Sequence, residues 1–176
     1  MFDLSGPRSF VLKPLFNGGL VGADPDARLR FGLEVAELYR AVTGADRAAG
    51  ELQIRLDHLM KALDETAGDT ESLAQQAREL NRRLQELRVS LNGDTTRSSR
   101  SEPVPLSISG RIQFILDGSW NSQTAVTPNY RDSLAVANAD LNTVLAAVKK
   151  LAADTTGLEV SVEGAKAPWT PGRIPH

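Results

Sequence analysis

The chain has no cysteine and only two histidines in 176 residues. Disulfides, cysteine nucleophiles and thiolate metal sites are therefore excluded, while the redox compartment stays open. Aromatic residues make up 5% of the chain, against 41% hydrophobic residues in all. The core must be mainly aliphatic, which suits helix packed on helix better than a β-sandwich. Charge of one sign is also lacking: 20 basic and 22 acidic residues leave a net charge of −2. Nucleic-acid binding would need a local basic patch, and none is expected. No apolar run approaches the roughly 20 residues that span a bilayer, so no membrane insertion is expected. The opening "MFDLSGPRSFVLKPLF" lacks the basic-then-apolar layout of a signal peptide. As written, the chain would stay in the cytoplasm; as a piece of an exported protein, it would lie outside it.

Motifs for chemistry are missing too. There is no Gly-x-Gly-x-x-Gly, no P-loop and no Gly-x-Ser-x-Gly. A di-metal site in a bundle needs Glu-x-x-His on two helices, and that motif does not occur. His58, the one internal histidine, reads as a structural or solvated side chain beside Asp57. Carboxylates such as Glu34, Glu37, Asp57 and Glu86 alternate with Arg40, Arg55, Arg82 and Arg83. That is the mixed surface of a bundle rather than an acid/base pair in a cleft. No catalytic residue, cofactor or metal is expected.

What is present is a long apolar period. Asp24-Pro25 is a helix start, an Asp cap with proline in the first turn. From there Phe31, Val35, Leu38, Val42, Ala45, Ala49, Leu52, Leu56, Leu59 and Leu63 alternate spacings of four and three. The seam crosses Gly44 and Gly50 without a change of phase, so one helix is predicted from Pro25 to about Thr66. After "AGDTES", with Asp69 or Thr70 as cap, a second helix carries Leu73, Ala77, Leu80, Leu84, Leu87 and Leu91, and stops at Asn92-Gly93.

"GDTTRSSRSEPVP", with Arg97 and Arg100 among hydroxyls, reads as a mobile surface loop, with a phosphosite or an anion-binding loop as the alternatives. A short helix follows at about Leu106 to Ser119, with Ile108, Ile112 and Ile115 inward. Trp120 is expected to lid one end. A fourth helix opens at Thr127-Pro128 and carries Tyr130, Leu134, Ala137, Leu141, Val144, Val148 and Leu151. It is read as continuing through Thr155, Leu158 and Val162 to about Gly164. The rival is a strand over Leu158 to Glu163 pairing with Phe10 to Leu12.

The expected fold is mainly α: an up-down-up-down antiparallel four-helix bundle with two long helices. Three segments are predicted, namely residues 1–23 with a short strand at Ser9 to Leu15, the bundle over 24–164, and a tail over 165–176. In such a bundle the tail and the N-terminal strand would meet at one pole. Pro168 and Pro171 stiffen that tail around Trp169, so it loses little entropy on docking. Trp169, Arg173, Pro168 and Pro171 are the candidate docking residues. The groove they fill is read as the bundle's own, with a second domain as the alternative.

The strand "FVLKPL", the helix opening "ADPDARLRFGLEVAELY", the leucine-rich return helix and the closing "GAKAPWTPGRIP" resemble the C-terminal region of bacterial BNR-repeat proteins. These are similar to the VPS10 (sortilin) type of β-propeller and are often labelled glycosyl hydrolase or sialidase-like. The distinctive part is Pro168 to Arg173. The resemblance implies a non-catalytic helical domain that packs on, orients or oligomerises a larger β-propeller protein, with an upstream β-domain or propeller as its partner. No active-site residue carries over, because the blades lie outside these residues. An independent coiled-coil protein, self-associating through its first helix, is the alternative; an enzyme fragment is a remote third.

Overall fold

The computed structural model describes residues 6–7, 9–12, 24–119, 122 and 124–170. The described residues form five helices: α1 (Pro25–Asp64), α2 (Glu71–Asn92), α3 (Thr95–Ser99), α4 (Ile108–Ser119) and α5 (Pro128–Gly164). Each start has a local cause. Asp24 accepts the Asp26 N–H at 3.0 Å, and Pro25 occupies the first turn, where its missing N–H is not needed. Pro128 opens α5 in the same manner behind Thr127. Thr70 caps α2 by position only, while the neighbouring Asp69 carboxylate accepts the Glu71 N–H at 3.3 Å.

All ten seam positions of α1 are buried, and Ala62 joins them. The seam of α5 runs unbroken from Leu134 through Thr155 and Leu158 to Val162. Residues 158–163 are therefore helical, and the rival strand is not formed. Its supposed partner is not a strand either: Ser9 to Leu12 lack regular structure, and Phe10, Val11 and Leu12 stand 80–84% exposed. A lone strand has no ladder to satisfy its backbone, and the described residues offer none. The remainder of that expected strand, 13–15, lies outside the described residues, as does Trp120.

The helix directions depart from the expected four-helix bundle. Arg55 of α1 bonds Glu159 of α5, and the Arg131 guanidinium of α5 lies 5.7 Å from the centre of the Phe31 ring of α1. Positions roughly a hundred residues apart are thus level along the whole length, so α1 and α5 are parallel. Helix α2 runs the other way. Gln53 donates to Asn81 at 3.0 Å, and Asn92 donates to Asp46 at 2.6 Å.

Helix α4 then continues the descent of α2. Ser109 donates to Asn92 at 3.1 Å at the upper end of α4. Halfway down, Phe114 meets Tyr130, with ring centroids 5.4 Å apart, and Gly118 near the lower end also lies against the Tyr130 side chain. Helices α2 and α4 together form one return leg, and the fold is a three-legged up-down-up rod. At 1.5 Å per residue the legs measure about 60 Å (α1), about 51 Å (α2 with α4) and about 55 Å (α5).

The break in the return leg comes from local chemistry. Gly93 adopts φ 90°, a left-handed conformation that ends α2. Asp94 then caps a single helical turn, accepting N–H bonds from Thr96 at 2.9 Å and Arg97 at 3.1 Å. The segment read as a loop therefore contains α3, which buries no residue. Pro103 and Pro105 follow, and α4 begins three residues later.

Geometry also overturns the expected meeting of tail and N-terminal chain. With α1 and α5 parallel, the tail leaves at the pole where α1 ends, about 60 Å from where α1 begins.

Gly44 and Gly50 sit mid-helix with nothing within 4 Å of where a Cβ would stand. Gly44→Ala and Gly50→Ala should each stabilise the protein by about 1 kcal/mol, raising Tm by roughly 2–4 °C in thermal denaturation. Gly118→Ala should do the opposite, because its Cβ would fall 2.7 Å from the Tyr130 ring carbon Cζ.

Candidate functional site

Two clusters gather the chain's polar side chains: a set of braces between the legs, and the folded-back tail. The first follows from positions flanking the seams. Arg55 immediately precedes seam residue Leu56, and Glu159 immediately follows seam residue Leu158. On parallel legs such flanking positions face each other across the helix pair. The Arg55 guanidinium donates through Nε and one terminal nitrogen to the two Glu159 oxygens, both at 2.8 Å. It also donates to the Thr156 hydroxyl at 3.1 Å.

The Glu159 side chain is only 10% exposed. It is the one buried ionisable residue among those described. Hydrogen bonding to Glu159 raises the Arg55 pKa further above its already high value. Glu159 has both oxygens engaged by the one guanidinium, which makes it a brace between the legs. Sequence reasoning missed this pair. The signal was there, opposite charges directly beside two seams, but the antiparallel arrangement assumed for α1 and α5 would have separated them.

A second brace joins α2 to α5. Arg83 donates to Asp154 at 3.1 Å, and Lys150 reaches the same carboxylate at 3.2 Å from one turn earlier. The hydrogen bond from Lys150, then that from Arg83, lowers the Asp154 pKa. A carboxylate with a lowered folded pKa stabilises the fold above its unfolded value of about 3.9. That contribution fades as pH falls through the lower folded value. The groove beside this brace encloses about 830 Å³ between Gln76, Leu80, Gly157 and Leu158, and is open to solvent. On the α1–α2 face, Gln53 bridges Asp57 and Asn81 and accepts from Gln85.

The tail begins with a helix stop built from its own backbone. Lys166 takes φ 60°, its N–H bonds the Glu163 carbonyl at 2.9 Å, and the Ala167 N–H bonds the Val162 carbonyl at 3.3 Å. This pair of bonds is the Schellman arrangement, which reverses the chain direction. Ala167 packs against the core beside Val162, and Thr170 is buried. Between them Trp169 rests edge-on against His58 of α1, with ring centroids 5.3 Å apart and planes at 87°. Trp169 remains 44% exposed, and Pro168 is exposed. Pro171 and Arg173 lie outside the described residues. The structure thus brings Trp169 to His58, a residue that the sequence marked only as an isolated histidine.

Among the described residues no group of three or more His, Asp or Glu side chains could hold a metal ion. No described helix is long and apolar enough to cross a membrane. No family model, curated protein or solved structure matches the chain.

Glu159→Gln should cost about 1–3 kcal/mol, because it leaves a partly buried guanidinium without its counter-charge. The double change Arg55→Met with Glu159→Leu should recover most of that loss, as measured by urea unfolding. Trp169→Ala and His58→Ala should each lower stability by roughly 0.5–1.5 kcal/mol. Since the rings touch each other, the double variant should lose less than the sum.

Proposed function

We propose that this chain is a non-catalytic helical domain that acts as a structural and interaction module of a larger BNR-repeat β-propeller protein. One observation carries the reading. Phe10, Val11 and Leu12 form a continuous apolar stretch that is almost wholly exposed, attached to a rod whose own core is closed. Three apolar residues in a row would be buried on both faces of a sheet, as in a covered inner strand. They have no such sheet within the described residues, and a β-domain preceding the rod would supply it. The Pro168–Trp169 tail takes no part in that docking, because it lies at the opposite pole with Trp169 against His58 of the same rod.

The polar groups support an absence of turnover. Glu159 and Asp154 are each held by arginine as braces between legs. His58 faces an indole rather than a carboxylate. The chain should hydrolyse a fluorogenic sialoside no faster than buffer alone. Turnover that Glu159→Gln abolished would overturn the reading. The amides of residues 9–12 should exchange hydrogen without protection in the isolated chain. They should become protected when the chain is joined to preceding propeller blades, and equal exchange in both states would count against the proposed docking.

A further inference from the structure

A protease that cleaves after arginine or lysine must draw about three residues on each side of the bond into an extended form, so the cut requires local opening. In α1, α2, α4 and α5 that stretch always includes a buried residue. Arg82 lies between Leu80 and Leu84, for example, and Lys149 beside Val148 and Leu151. Among the described residues of 24–164 only two basic positions escape this, Arg97 and Arg100 of the connector between α2 and α4. Residues 95–103 contain no buried side chain. The Glu102 carboxylate meets Arg97 Nε at 3.1 Å and Arg100 Nε at 3.0 Å, with all three side chains 40–62% exposed. Such pairs give way to solvent at little cost. The two arginines differ in their backbone. The Arg97 carbonyl accepts N–H bonds from Arg100 and from Glu102, both at 3.1 Å. The Arg100 carbonyl accepts none among the described residues. Directly after it Ser101 takes φ 57°, a left-handed conformation that is costly for a residue with a Cβ, and extending the chain there relieves it.

We propose that the Arg100–Ser101 bond is a processing site for a trypsin-like protease, one whose specificity pocket carries a carboxylate that receives arginine. Water adds across the bond: its hydroxyl goes to the Arg100 carbonyl carbon and its proton to the Ser101 nitrogen. The products are residues 1–100, with the α1–α2 hairpin, and residues 101–176, with the α4–α5 hairpin. They stay together, because the shared core and both braces cross the cut. Arg55 with Glu159 and Arg83 with Asp154 join opposite products, and so does Trp169 with His58. Cleavage thus turns one chain into a two-chain rod, with a new carboxylate and a new amine partway down the return leg. The rod is converted without being dismantled. The inference does not depend on any propeller preceding the rod.

Trypsin at low dose on the folded chain is the probe, with fragment masses reporting cuts inside residues 24–164. The first such cut should fall after Arg100, giving a piece that begins Ser101-Glu102-Pro103. The cut protein should elute in gel filtration as one species and keep the helical circular dichroism of the intact chain. A lysine-directed protease at the same dose should leave 24–164 whole, because Lys61, Lys149 and Lys150 all neighbour buried residues. The double variant Arg97→Gln with Arg100→Gln should melt as the unaltered chain does, because both side chains are exposed. It should slow the first cut inside 24–164 by about tenfold or more, since every other site needs a core side chain withdrawn. An earlier cut elsewhere inside 24–164 overturns the proposal. So do products that separate on gel filtration, or a double variant cut as fast as the unaltered chain.

Discussion

Two helices of 40 and 37 residues can lie side by side and point the same way only if the chain between them travels the full length back. The remaining features of the fold follow from that requirement. Residues 65–127 supply the return leg, and they do it in two pieces because α2 is too short to span the rod alone. The gap is bridged by Gly93, the capped turn of α3 and two prolines. The parallel pairing also decides which side chains meet. It brings Arg55 level with Glu159, and Arg131 level with Phe31. Had α5 run antiparallel to α1, none of these partners would share a level.

The braces are worth separating by exposure. Arg82 pairs with Glu79 and Glu86 along the surface of α2, where solvent and side-chain entropy leave little net stabilisation. Arg55 with Glu159 and Arg83 with Asp154 join different legs and are about a third exposed or less. These hold the legs in register as well as together. A slip of one turn would leave Glu159 buried without a partner, a far costlier outcome than losing a surface pair. Such a pair contributes more to the choice of one arrangement than to the depth of the energy minimum.

At the upper pole, the same geometry explains why the tail folds back instead of projecting. Helix α5 ends level with the last turn of α1. A residue in left-handed conformation at Lys166 reverses the chain at that point. The indole then reaches His58 with a short stiff segment. An aromatic ring resting against a histidine closes the pole loosely, leaving Trp169 nearly half exposed.

Local pattern alone determined a great deal here. The proline-opened starts of α1 and α5, the unbroken seam through Gly44 and Gly50, and the helical state of 158–163 could all be read from spacing. Each depends on interactions within a few turns of one helix. The inward set Ile108, Ile112 and Ile115 was legible for the same reason. Direction was not. A seam of leucines packs equally well against a parallel or an antiparallel neighbour, so α4 could be read as a separate third leg or as the end of α2. Only the tertiary structure decided that. With it came the Arg55–Glu159 brace, the meeting of Trp169 with His58, and the pole at which the tail lies, because contacts between distant residues are set by which ends of the legs coincide.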